Sequence, residues 1–336
     1  MKQILLALLI CIVSCSQEIP DEITIQGEAF GTTYAVTYFG EAAVAPRIKK
    51  GIDSVIQVVN KSMSTYIPQS DISKINRGDS TIVVDAMFKD VFALSRKLHI
   101  LTNGYFDPTV GGLRNAYGFG DTKPLAVIDS VTLDSMMRYV GFDKVRLSPK
   151  GTIQKEYPEI YFDFNAIAKG YGIDRIAAFL QEENTTDFLI ELGGEIRAQG
   201  KHIVKDKPWT VGVERIDSSI DNRQATVAVR LNNQSMAGSG NYRKNRIDSL
   251  TGKQYVHTIN PLTGSAEKSD VLSANVIAPT CAEADAWATA FMAMGLERSK
   301  EILITQKEIE AYLVFSDGEN SIETYVTDGF EKLIVE

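Results

Sequence analysis

The sequence predicts an α+β fold, and two observations carry that prediction. Four segments read as helices, residues 47–60, 87–101, 169–180 and 284–294. Between them lie segments rich in β-branched and aromatic residues, 24–39, 159–164, 188–192, 211–213, 225–231, 311–315 and 322–326, which read as strands. The two kinds mingle without strict strand–helix alternation, a pattern that favours α+β over a doubly wound parallel sheet.

Before the folded part comes a leader. Met1-Lys2 is a short positive start, and Ile4 to Val13 is an apolar run of signal-peptide length, too short to span a bilayer as a helix. The run ends at Ile12-Val13-Ser14-Cys15, which resembles a bacterial lipobox. Residues 1–14 are therefore expected to be a lipoprotein signal peptide and Cys15 the lipidated residue. The polar, acidic stretch that follows makes 15–23 a tether, and 24–336 the folded domain. With Cys15 acylated, Cys281 is the one thiol of the mature chain, so no internal disulfide can form and the fold must rest on its core. The formal charge is −8, and loss of Lys2 with the leader makes it one unit more negative. Such an acidic chain without a basic tract is not expected to bind nucleic acid.

Along the domain, Thr24 to Phe39 alternates loosely and is rich in Thr and Tyr. Ile48, Ile52, Val55, Ile56 and Val59 mark one helix, and Val91, Leu94, Leu98 and Leu101 mark a second, stopped by Asn103-Gly104. A strand over Glu159–Phe164 leads into a helix over Lys169–Leu180. Phe188–Leu192 is a strand halted by Gly193-Gly194. Strands are expected at 211–213 and 225–231, and a terminal hairpin about Asp317-Gly318.

Several constellations could carry chemistry. His99, His202 and His257 lack ligand spacing, so a zinc or iron site is not expected, whereas a hard cation with oxygen ligands stays open. Thr280 followed by Glu283 is a capping box that starts a helix at Cys281. Asp285 and Thr289 then fall four apart on one face, where a carboxylate and a hydroxyl can hold one Mg²⁺. An Asp that complements the helix dipole beside a solvent-facing Thr explains the same pair without a metal. The run Asp163 to Gly172 turns from strand to helix with small residues and Lys169, a setting for an anion, or simply a connection. Tyr105, Phe106 and Asp107 suit a planar ligand or a core corner. His257, before Asn260-Pro261, could act as a general base or be structural.

Taken in order, Phe-Gly-Thr, Met-Ser-Thr-Tyr, Asp-Ile-Ser-Lys-Ile-Asn, Gly-Tyr-Phe-Asp-Pro-Thr-Val-Gly, Ala-Ile-Ala-Lys-Gly-Tyr, Leu-Gly-Gly, Ser-Gly-Asn-Tyr, His-Thr-Ile-Asn-Pro-Leu-Thr-Gly and Asp-Ala-Trp-Ala-Thr-Ala resemble the ApbE family over residues 24–330. The resemblance implies a two-lobed α+β fold with mixed sheets, flanking helices and FAD in a cleft between lobes. It implies transfer of FMN from FAD to a Thr or Ser hydroxyl of a partner protein, with release of AMP and with Mg²⁺ as cofactor. By the same resemblance the metal ligands are Asp285, Thr289 and the Ala166 carbonyl. The flavin nucleotide is expected to touch Phe30, Tyr66, Tyr105, Phe106, Asp107, Lys169 and Thr258, and His257 to assist the transfer. Phe30 stands where Met is usual, Asn165-Ala166 where Gly or Ser is frequent, and Leu262 where Arg is frequent. Hydrolysis of FAD to FMN and AMP, or non-catalytic FAD binding by a lipoprotein, are the alternative readings of the same residues. The expected acceptor is a different protein with a Ser/Thr-Gly-Ala-Thr/Ser-like segment, such as a subunit of a membrane redox complex. The expected location is a bacterial membrane, facing the periplasm.

Overall fold

The computed structural model describes residues 20–216, 224–241, 245–247, 252–318 and 321–335. Cys15 and the tether up to residue 19 lie outside the described residues, as does Tyr242. Strands β1 (Asp21–Ala29) and β2 (Thr32–Gly40) form an antiparallel hairpin. Its tip, Phe30-Gly31, takes positive φ at both residues, 51° and 78°, as a two-residue type I′ connection requires. Helix α1 (Ala45–Met63) buries Ile48, Ile52, Ile56 and Val59 at the expected helical spacing. After α2 (Asp71–Asn76), helix α3 (Ala86–Leu101) is capped by the Asp85 carboxylate, which accepts the Phe88 N–H. The positive φ of Asn103 and Gly104 ends that helix, as the sequence indicated.

Helices α4 (Gly111–Ala116) and α5 (Ser130–Met137) and the small ladder β3 (Val145–Leu147) with β4 (Ile153–Lys155) follow. The strand expected over Glu159–Phe164 does not form. That stretch makes one parallel bridge, Val110 with Tyr161, and Asp163 donates its N–H to the Pro108 carbonyl. Ile160, Phe162 and Phe164 are buried, so the apolar pattern there reports core plugs and not a ladder. Helix α6 (Ala168–Glu182) then leads to β5 (Phe188–Leu192) and β6 (Glu195–Gln199), joined by Gly193-Gly194, both at positive φ.

The rest of the chain supplies β7 (Trp209–Glu214), β8 (Ala225–Leu231), β9 (Ser235–Gly240), β10 (Asn245–Ile247), β11 (Gln254–Val256) and β12 (Val271–Ala278). Helices α7 (Cys281–Met294) and α8 (Leu296–Thr305), strands β13 (Glu310–Ser316) and β14 (Ile322–Val326), helix α9 (Asp328–Glu331) and strand β15 (Ile334–Val335) complete it. Eight strands form one sheet in the order β1-β2-β5-β6-β9-β12-β13-β14. Every ladder among the described residues is antiparallel, so the mixture lies in helices with strands and not in strand direction. The expected hairpin of β13 and β14 is present but not terminal, because β15 returns to pair with β8.

Strand β12 shows why its pattern was hard to read. Ala274 and Val276 pack into the core that holds α3 and α7, whereas Ile277 packs with Trp209, Val229 and Phe330 on the opposite side. A strand buried on both faces has no apolar–polar alternation to announce it. Helix α7 is similarly enclosed: all its residues are buried except Glu283 and Thr289, as befits a helix apolar on every side. No helix of the described residues is long and apolar enough to cross a membrane.

Candidate functional site

Two helix starts, those of α6 and α7, meet. Helix α6 begins at Ala168 without a side-chain cap of its own. In a regular helix the Gly170 N–H would point at the Ala166 carbonyl. Here it donates to the Asp285 carboxylate of α7 at 3.2 Å, and among the described residues no N–H donates to the Ala166 carbonyl. Helix α7 begins as predicted, with Thr280 Oγ1 accepting the Glu283 N–H at 3.2 Å. The Glu283 carboxylate meets the Thr280 hydroxyl instead of reaching back to its N–H. The Asp174 carboxylate of α6 accepts the Cys281 and Ala282 N–H groups, both at 2.9 Å. Each helix thus supplies a carboxylate to the other's first turn. The helices approach so closely that a Cβ on Gly170 would lie 2.3 Å from the Cys281 carbonyl oxygen.

Charge is concentrated at this junction. Lys169 forms an ion pair with Glu195, which is 3% exposed at its side chain. Burial pushes the Lys169 ammonium toward neutrality, but the Glu195 and Asp285 carboxylates outweigh it and hold the group above the usual lysine range. Burial likewise raises the Glu195 carboxyl, with Lys169 pulling it back and Asp285 adding to the rise. Asp285 is raised by burial too, opposed by Lys169 and by the Gly170 N–H. Glu195 Oε2 is buried without a hydrogen-bond partner, an arrangement that costs energy wherever no further group satisfies it. Burial also pushes the Asp174 carboxyl up, to about 6, against the pull of its two N–H donors. One turn beyond Asp285, Thr289 Oγ1 lies 3.3 Å from Ser239 Oγ of β9.

The other expected residues stand around this junction or on separate turns. Phe30, at the strained hairpin tip, lies against α6, where a Cβ on Gly172 would come within 2.5 Å of its ring. Tyr66 is 58% exposed, and its hydroxyl accepts from Arg114 Nη2 at 3.3 Å. Arg114 Nη1 in turn pairs with Asp163 at 2.5 Å, three residues before Ala166. In the run 105–107, Phe106 is in the core, and the Asp107 carboxylate is occupied by the Thr109 N–H and hydroxyl and the Phe142 N–H. Tyr105 is partly buried and packs against the same core. Thr258 is buried and donates its hydroxyl to Asn241 Oδ1 at 3.0 Å, which ties two of the sequence motifs together. The His257 ring packs edge-on against Phe119, 6.5 Å between centroids.

A cleft of about 460 Å³ lined by His99, Asn103, Asp107, Asp143, Pro261 and Leu262, among others, opens beside the 105–107 run and contains none of Lys169, Asp285 and Thr289. Among the described residues no three His, Cys, Asp or Glu side chains gather as metal ligands. A set made of one carboxylate, one hydroxyl and one backbone carbonyl is of a different kind.

Sequence reasoning missed Glu195, Asp174 and Arg114. Glu195 was visible only as the residue after a Gly-Gly turn. Asp174 had one faint signal, a carboxylate within the helix between the apolar Ile173 and Ile176.

The chain matches the ApbE family model over residues 30–313. It is 32% identical to an FAD:protein FMN transferase of Haemophilus influenzae, over 98% of this chain and 96% of that one. It is 30% identical to an FAD:protein FMN transferase of Vibrio cholerae, over 98% and 97%. A solved structure of the flavin transferase ApbE from Vibrio cholerae superimposes with a TM-score of 0.83 at 29% identity, covering 94% of this chain and 99% of the other. With its fold, the order of its motifs and nearly its whole length shared, this chain belongs to the ApbE family.

Proposed function

We propose that this protein transfers FMN from FAD to a Ser or Thr hydroxyl of a partner protein and releases AMP, with Mg²⁺ held by Asp285, Thr289 and the Ala166 carbonyl. The observation that carries the reading is the junction of α6 and α7. There the buried Asp285 carboxylate of α7 meets the first turn of α6, the Ala166 carbonyl just before α6 has no N–H donor among the described residues, and the Thr289 hydroxyl lies one turn further along α7, beside Ser239. All three donors are oxygens, the ligand type of a hard cation.

In the reaction the acceptor hydroxyl oxygen forms a bond to the FMN phosphorus as the bond from that phosphorus to the bridging oxygen breaks. AMP leaves with the electron pair, and the hydroxyl proton passes to a base. When bound, Mg²⁺ supplies charge neutralisation for the pyrophosphate. Asp285, whose carboxylate accepts the Gly170 N–H, would bind the metal. Lys169 carries a positive charge at the α6 start, where helix N–H groups also favour a phosphate. Phe30 and Tyr66 offer aromatic faces to the flavin. Tyr105, Phe106 and Asp107 contact the flavin nucleotide, Thr258 contacts the nucleotide as well, and His257 takes the hydroxyl proton. Cys15 carries the lipid that anchors the domain to a bacterial membrane on its periplasmic side. The acceptor is a subunit of a membrane redox complex with a Ser/Thr-Gly-Ala-Thr/Ser-like segment.

The test mixes the purified protein, FAD, Mg²⁺ and a small protein bearing a Ser-Gly-Ala-Thr segment, and reads the acceptor by intact mass. Added FMN is expected, and neither EDTA treatment nor Asp285→Ala should permit it. Free FMN and AMP beside an unmodified acceptor would replace transfer by hydrolysis. Retained membrane association of a Cys15→Ser protein would remove the lipid anchor from the reading.

A further inference from the structure

The cation site proposed above depends on two helices keeping their relative position. Asp285 and Thr289 belong to α7, and the Ala166 carbonyl precedes α6. Mg²⁺ demands near-ideal octahedral geometry with oxygens at roughly 2.0–2.1 Å, so a displacement of either helix by a fraction of an ångström alters the site.

Helix α7 has its own cap, since Thr280 accepts the Glu283 N–H. The Asp174 contact is additional and of another kind. Its two oxygens take the N–H groups of Cys281 and Ala282, the first two residues of α7, at 2.9 Å each. Asp174 sits on α6, five residues beyond Lys169 and eight beyond Ala166. A bidentate contact of this sort fixes distance and rotation together, as one hydrogen bond does not. Two neighbours remove the remaining slack. Gly170 lies against Cys281 and Ala282 with no room for a Cβ, and Arg197 Nη1 of β6 donates to the Pro279 carbonyl just before the cap. The Gly170 N–H contact to Asp285 completes the pairing from the other direction.

We infer that Asp174 is a positioning residue for the cation site: it locks the first turn of α7 onto α6 and thereby sets where Asp285 and Thr289 stand relative to the Ala166 carbonyl. The inference rests on the assignment of the metal to these three residues. It assigns Asp174 no contact with metal, FAD or acceptor.

The experiment measures Mn²⁺ binding to the purified full chain by electron paramagnetic resonance, and the Mg²⁺ concentration dependence of FMN transfer. Asp174→Asn keeps the side chain's size and leaves one acceptor oxygen for two N–H groups. It is expected to weaken Mn²⁺ binding about tenfold, in the range seen when groups supporting a metal ligand are removed. The KM for Mg²⁺ should rise in step, while kcat at saturating Mg²⁺ stays near the wild-type value. Thr280→Ala, which removes the cap within α7 and leaves the link to α6, is expected to lower thermal stability without changing Mn²⁺ affinity. Should Asp174→Asn fail to fold, Asp174→Glu, which retains both oxygens one methylene further out, is read in its place with the same expectation.

Unchanged Mn²⁺ affinity in the folded Asp174 variant overturns the inference, and so does an equal loss in Thr280→Ala. Mn²⁺ binding that survives Asp285→Asn overturns the metal assignment itself, and the inference with it.

Discussion

Gly170 and Cys281 touch through their backbones: a Cβ on the glycine would stand 2.3 Å from the cysteine's carbonyl oxygen and 2.8 Å from Ala282 Cα. Gly170 is inside a helix, where alanine would ordinarily be preferred by about 1 kcal/mol. Tertiary contact reverses that preference, because the atom in the way is backbone and cannot rotate aside. Gly170→Ala is therefore expected to destabilise the protein by about 1–3 kcal/mol, the range for overpacked cores. FMN transfer should fall with it, as α7 is pushed from α6. Denaturant unfolding and the intact-mass assay check this, and a variant as stable and active as wild type would show that the helices can separate freely.

The Asp174 carboxyl gives a pH dependence with a definite sign. Burial raises it from 3.8 to about 6 in the folded chain. The folded state thus holds this proton more tightly than the unfolded state. Its contribution to stability is fully present below about pH 4 and is lost as pH rises through about 6. Asp174→Asn cannot titrate. The stability gap between wild type and Asp174→Asn should therefore narrow between pH 4.5 and pH 7.5, measured by thermal unfolding of both proteins. A gap that widens over that interval would mean the carboxyl is lowered, not raised.

The buried Glu195 pairs with the half-buried Lys169 beside Asp285. Removing the ammonium leaves two carboxylates without their counter-charge, and Lys169→Met should cost about 3–5 kcal/mol. Removing Glu195's charge as well should restore much of this. A double-mutant cycle with Glu195→Gln is expected to give a coupling of about 0.5–3 kcal/mol. Additive single effects would mean that the pair does not interact in solution.

Phe30 rests on Gly172, whose lack of a side chain makes room for the ring. Gly172→Ala should displace the ring without touching the α6–α7 junction. The expected result is a KM for FAD raised about tenfold, equivalent to about 1.4 kcal/mol of binding, with kcat little changed. A lowered kcat at unchanged KM would place Phe30 in the chemical step instead of in flavin binding.

What could be read directly from the chain follows from local rules. The buried faces of α1 and α3 came from apolar spacing, and the end of α3 from Asn103-Gly104, whereas α1 extends to Met63, three residues past the expected end. The start of α7 at Cys281 came from Thr280 and Glu283, three residues apart. The pairing of Asp285 with Thr289 on one face needed only the helical period. Strands β9 and β12 escaped, because small residues and two buried faces erase alternation. The segment 159–164 misled, since Phe162 and Phe164 are buried without belonging to a ladder.

The sequence by itself determined the α+β class, the helix that carries Asp285 and Thr289, and, through the order of its motifs, the family. Only the tertiary structure decided that Asp174 reaches the start of α7, that Glu195 pairs with Lys169, and that the Gly170 N–H turns from Ala166 to Asp285. Periodicity and capping act between residues a few positions apart, whereas these contacts join residues 26 to 115 positions apart. Their partners are chosen by how closely two helices and a sheet pack, and no local pattern records that distance.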